Sequence, residues 1–176
     1  MRRRGGYTLI ELVTTLVVGS VLLSLAVPAF ENLVLDSRRT ADINAFVTAV
    51  QLARSESAKR GRPAVLCKTV DWVHCNGADA YYEQGWMVFV DEDGDSPPFR
   101  DENEQLLFGY EPVTAGTIRS NRARYVFRPY WRRSTNGTIT FCDRRGSDAA
   151  RAVIISYTGR PRVADRGPGR PLVCAS

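Results

Sequence analysis

Lysine and histidine are nearly missing from this 176-residue chain, which has 2 Lys against 22 Arg and a single histidine, His74. One imidazole works against histidine-rich metal sites and against most Ser-His or Cys-His catalysis. The chain also lacks a Gly-x-Ser-x-Gly elbow, a Walker phosphate loop and any carboxylate pair placed for tuned acid–base work. The expectation is therefore a protein that is not an enzyme, with no catalytic residues, no cofactor and no metal. No internal repeat is present. A composition 44% hydrophobic and 24% charged excludes both a disordered tail and a polytopic membrane protein. The length suits one domain, or one domain with an appendage.

The formal charge of +5 conceals an uneven distribution. Residues 1–65 carry 9 basic and 5 acidic groups, residues 66–118 carry 2 and 11, and residues 119–176 carry 13 and 3. A −9 middle is thus followed by a +10 C-terminal third, and all 13 basic residues of that third are arginine.

Met1–Gly6 forms a basic leader, and Leu12–Phe30 follows without a charge. Tyr7–Phe30 would measure about 36 Å as a helix, enough to cross a ~30 Å hydrocarbon core. Arg2, Arg3 and Arg4 before the span predict that the leader stays cytoplasmic and the rest is exported. A secretory signal would place its cleavage site after the apolar run, whereas here Gly5-Gly6 precedes it. Glu11 is costly inside such a span, roughly 2.5–3.5 kcal/mol on insertion scales, and needs a partner.

Gly6-Tyr7-Thr8-Leu9-Ile10-Glu11 resembles the class III signal of type IV pilins and type II secretion pseudopilins. The resemblance implies cleavage after Gly6 by a prepilin peptidase and N-methylation of Tyr7, which replaces the family's usual Phe. Glu11 becomes the fifth mature residue, which in that family pairs with the amine of a neighbouring pilin subunit during assembly. Ala53–Gly61 followed by Ala64-Val-Leu-Cys67, with Gly85–Asp91 downstream, resembles the FimT/GspH branch of minor pilins and pseudopilins.

The fold class expected is α+β and pilin-like. Its divisions are a leader (1–6), a transmembrane helix (7–30), an amphipathic helix (31–62), an antiparallel β domain (63–158) and a basic tail (159–176). Pro28 should kink the membrane helix without ending it. Beyond it, Ile43, Phe46, Val47, Val50, Ala53 and Ser57 share one helical face, with Arg38, Asp42, Gln51 and Arg54 mostly elsewhere. Gly61-Arg-Pro63 stops the helix. Short β-like runs at 64–68, 85–90, 106–110, 123–127, 138–141 and 152–157 predict an antiparallel sheet, or two small ones, laid against the helix.

Export permits disulfides. Four cysteines allow three pairings; the one favoured joins Cys67 to Cys75 as a local closure and Cys142 to Cys174 to pin the tail. A zinc reading of Cys67, His74 and Cys75 lacks ligand spacing. Asp91, Asp93, Asp95 and Glu102 occupy offsets 1, 3, 5 and 12 of a calcium loop, but the glycine falls at offset 4. A solvated acidic loop is the simpler account.

The arginine block implies an anionic partner. Gly159-Arg160-Pro161-Arg162 matches the Gly-Arg-x-Arg motif through which FimT proteins of naturally transformable bacteria contact DNA. The resemblance implies Arg160 and Arg162 as phosphate contacts, with Arg151, Arg166 and Arg170 in support, and Tyr130–Arg133 and Arg144-Arg145 broadening the surface. The function expected is that of a minor pilin, made in the inner membrane with a periplasmic domain and then displayed on a pilus. There it binds double-stranded DNA without sequence preference for uptake in transformation. The alternative is a structural GspH-type pseudopilin whose basic face meets acidic groups on neighbouring subunits.

Overall fold

The structure is a computed structural model that describes residues 6, 8–75, 81–95, 99–101, 103–129, 132–165 and 172–174. One helix, α1 (Leu9–Arg60), carries Pro28 within it. The chain divides into two compact units at Ser37/Arg38. In the first unit the helix exposes its Leu, Val and Phe side chains all round, and it is long and apolar enough to cross a membrane. Its start is fixed by a reciprocal cap. The Thr8 backbone N–H donates to Glu11 Oε2 at 2.9 Å and the Glu11 N–H donates to Thr8 Oγ1 at 3.3 Å.

The second unit holds two four-stranded antiparallel sheets. One has the order β3 (Leu106–Tyr110), β2 (Trp86–Val90), β1 (Ala64–Lys68), β5 (Arg124–Phe127). The other has the order β4 (Ile118–Ser120), β6 (Gly137–Phe141), β7 (Arg151–Ile155), β8 (Pro161–Ala164). Between the C-terminal half of α1 and both sheets lies a single core. Phe46 occupies its middle, with edge-to-face ring contacts to Trp86, Phe141, Tyr125 and Tyr82 at centroid distances of 5.6–6.2 Å. Ile139, Val153 and Ile155 alternate inward along β6 and β7 to meet it.

Two expectations need correcting. The helical spacing puts Asp42 off the apolar face, but it is wholly buried, and Arg39 near it is buried too. The physical reason is that each carries partners into the core. Asp42 accepts from Tyr110 Oη, Val113 N and Thr114 N at 2.9–3.0 Å, while Arg39 pairs with Asp143 at 3.1 Å and donates to the Ala149 carbonyl. Buried charge is tolerated when its partners are supplied this way. The second correction concerns the basic tail, which does not begin at 159 as a separate segment. Residues 161–164 form β8, an edge strand paired with β7 (Ile155 to Pro161, Ile154 to Arg162). Proline is acceptable there because an edge strand leaves one row of N–H groups unpaired.

Both disulfides follow the favoured pairing. Cys67–Cys75 closes a loop that covers the outer face of the first sheet, with Val65, Met87, Phe89 and Trp72 around it. Cys142–Cys174 ties the C-terminal segment to the end of β6, and Leu172 is buried beside it against Ala150 and Ala152.

Candidate nucleic-acid interface

The β7–β8 connection is a tight turn in which Gly159 N donates to the Ser156 carbonyl at 2.8 Å and Ser156 N to the Arg160 carbonyl at 3.1 Å. Gly159 has φ +72°, the left-handed region that glycine enters without steric cost. The position is also crowded. A Cβ there would lie 3.0 Å from Arg54 Cδ and 3.1 Å from Phe127 Cδ1. The missing side chain therefore lets the aliphatic stem of Arg54, on α1, lie across the turn beside Arg160.

This packing creates a pocket of about 390 Å³ lined by Arg54, Arg128, Arg132, Arg133, Ser134, Tyr157, Thr158 and Arg160. Three elements build it: α1, the β5–β6 connection and the β7–β8 turn. Backbone and side-chain bonds fix their relative positions. Ser134 N donates to the Tyr157 carbonyl at 2.9 Å, Ser57 Oγ to the Phe127 carbonyl at 3.0 Å, and Arg128 Nη1 to the Arg133 carbonyl at 3.2 Å. The Arg133 guanidinium lies 5.5 Å from the Tyr157 ring centroid. Among the described residues, none of these five arginines pairs with a carboxylate. The pocket is a concave, cationic, partly aromatic surface suited to phosphate groups.

The residues expected at the interface divide accordingly. Arg160 lines the pocket. Arg162 is exposed two residues along β8, beside Ile154 on the face turned away from the core. Arg151 is engaged elsewhere, with its Nε 3.0 Å from Asp165 Oδ1. Arg145 is likewise held by Asp143, at 2.8 Å, and that bond keeps the Asp143 carboxyl below the usual range. Arg166 and Arg170 lie outside the described residues, as do Tyr7, Tyr130 and Trp131. Arg54 and Arg128 carry no signal in the sequence, and only their contact with the turn reveals them. For Glu11, the Thr-x-x-Glu spacing is the signal of its capping role.

The remaining candidates make contacts within the fold. Asp71 accepts from the His74 backbone N–H at 2.8 Å and meets its ring nitrogen at 2.7 Å, bonds that hold the Asp71 carboxyl well below its ordinary value. The Cys67–Cys75 bond consumes the thiols a zinc site would need. In the acidic loop, Asp91, Asp93 and Glu104 bring ligand oxygens within 4.8 Å of one another among the described residues, and Glu102 lies outside them. Backbone N–H groups of Gly94, Glu92 and Asp101 already bond Asp91 and Glu104 at 2.7–3.1 Å. Burial pushes both carboxyls above their ordinary values.

Two family models match. The prokaryotic N-terminal methylation motif covers residues 1–27, and the family described as Type II transport protein GspH covers residues 42–159. The chain belongs to the GspH family. With the methylation motif, that makes it a type IV pilin-like minor pilin or pseudopilin. No curated protein matches the sequence. Two crystal structures of the type IV minor pilin FimU from Pseudomonas aeruginosa PAO1 resemble it in fold. One is 19% identical, covers 80% of this chain and 99% of its own, and has a TM-score of 0.54. The other is 20% identical, covers 82% and 98%, and has a TM-score of 0.55. At that identity the likeness concerns the fold alone, a long N-terminal helix packed on antiparallel sheets. For a GspH-family chain with this N-terminal motif, the family implies processing by a prepilin peptidase and assembly with other pilins.

Proposed function

We propose that this GspH-family protein is a minor type IV pilin that binds extracellular double-stranded DNA, without sequence preference, for uptake in transformation. Its route begins in the inner membrane, with the N-terminal part of α1 as a single span and the sheet domain in the periplasm, and ends in the pilus. The role is one of binding and assembly, with no catalytic step. The observation that carries the reading is the convergence of Arg54, Arg128, Arg132 and Arg133 on the turn that presents Arg160. Arginines with no carboxylate partner among the described residues can contact phosphate oxygens and leave base edges unread, which gives affinity without sequence preference.

The test uses the full-length chain in non-ionic detergent with Arg160→Gln and Arg162→Gln combined. Both side chains are exposed, so the fold should survive. Binding to long duplex DNA should weaken at least about tenfold, since each charge-assisted bond removed is worth more than about 1 kcal/mol. Unchanged binding by a normally folded variant would sink the assignment.

The GspH family match supports a second reading, a structural pseudopilin subunit whose arginine face meets the acidic middle of a neighbour. Under that reading the parent chain fails to bind duplex DNA at low salt, and removal of the gene abolishes filaments rather than DNA uptake alone.

A further inference from the structure

The pocket holds more positive charge than a passing DNA backbone requires. Five guanidinium groups, on Arg54, Arg128, Arg132, Arg133 and Arg160, surround about 390 Å³, with no carboxylate among the described lining. A duplex running over this surface offers one negative charge per phosphodiester, spaced along a convex ridge. The interior of the pocket is the size of a small-molecule site, fit for a single nucleotide. A phosphomonoester is the phosphate that matches it: near neutral pH it carries a charge of about −1.5 to −2 and presents three acceptor oxygens, against two on a diester. Three oxygens can be forked by several guanidiniums together. Tyr157 is 56% exposed at the pocket edge and supplies an aromatic surface for the terminal base or sugar.

The geometry points to a terminal-phosphate site: we propose that the pocket captures the phosphorylated end of a DNA strand, while Arg162 and its surroundings hold the adjoining duplex. This rests on the DNA-binding reading above and adds to it a preference for ends. The division of labour follows from position. Arg54 and Arg133 line the pocket, whereas Arg162 stands outside it on the edge strand. The backbone bond from Ser134 N to the Tyr157 carbonyl fixes two of the three walls before any ligand arrives, so little ordering cost attends binding.

The experiment compares three forms of one short duplex, bearing 5′-phosphates, bearing 5′-hydroxyls, or closed at both ends by hairpin caps. Affinities for the full-length chain in non-ionic detergent are measured at low salt. The phosphorylated form should bind about tenfold tighter than the other two, the yield of one further charge-assisted bond. Arg54→Gln and Arg133→Gln, made separately, should each erase that preference, so that the phosphorylated, hydroxyl and capped forms bind each variant alike whatever overall affinity it loses. Equal binding of the three forms by the parent overturns the end-capture inference alone, as does a preference that survives both substitutions. Failure of all three forms to bind would instead remove the DNA reading, and the inference with it.

Discussion

Replacing Gly159 with alanine perturbs the turn at the one point where backbone and packing both require glycine. At φ +72° an L side chain costs about 1 kcal/mol. The new Cβ would also meet Arg54 Cδ at 3.0 Å and Phe127 Cδ1 at 3.1 Å. The Arg54 stem is flexible and can swing aside, but Phe127 is 1% exposed and its ring is enclosed by the core. Relieving that clash costs roughly another 1 kcal/mol. Gly159→Ala should therefore destabilise the folded unit by about 2 kcal/mol, lowering Tm by roughly 8 °C for a domain of this size. Circular dichroism at increasing temperature reads the stability, and a DNA shift assay reads the displacement of Arg54 and Arg160. Combining the change with Arg54→Ala removes only the contact with the flexible stem, so the backbone penalty and the Phe127 clash should remain and most of the loss should persist. A Tm within about 2 °C of the parent would refute the account of this turn, and with it the explanation of why Arg54 lies in the pocket.

Other outcomes follow from the same region and its neighbours. Asp143→Asn leaves the buried Arg39 guanidinium without its carboxylate and should cost about 3 kcal/mol in urea unfolding. Because Asp143 titrates below its ordinary value when folded, its stabilisation is complete above about pH 4 and is lost as pH falls through that lower value. Parent and variant stabilities should converge in acid, and a constant gap down to about pH 2 would contradict the sign. Cys142→Ser with Cys174→Ser opens a loop spanning a separation of 32 residues and should cost about 4 kcal/mol by the chain-entropy estimate. Proteolysis near the C-terminus should quicken in that variant, and an unchanged digestion pattern would argue that Leu172 alone anchors the segment.

Much of the architecture is legible in local pattern. Short apolar runs locate β1 and β3 to the residue, because a run of four or five apolar residues between polar or turn-forming ones suits a strand on a pleated surface. β4 escapes because Ile118-Arg119-Ser120 has one apolar residue, too few to show alternation. β8 escapes because Pro161-Arg162 reads as a tail, and only pairing with β7 makes it a strand. The burial of Arg39 and Asp42 is hidden for a related reason. Helical periodicity sorts residues by polarity, whereas the partners that make their burial tolerable, Asp143 and Tyr110, lie 104 and 68 residues away. At the candidate interface the motif itself stands in the chain, but Arg54 joins it across the fold. Arg151 drops out because Asp165 claims it.

The central claim, that the C-terminal arginines hold DNA through its phosphates, is tested most directly by the salt dependence of binding to long duplex DNA. For the parent, the logarithm of the association constant should fall linearly with the logarithm of salt concentration, by about 0.9 per neutralised phosphate. Arg160→Gln with Arg162→Gln should make that slope shallower by nearly two units, because each arginine neutralises about one phosphate. A slope identical to the parent's, in a variant that folds normally, would show that these arginines do not touch the backbone.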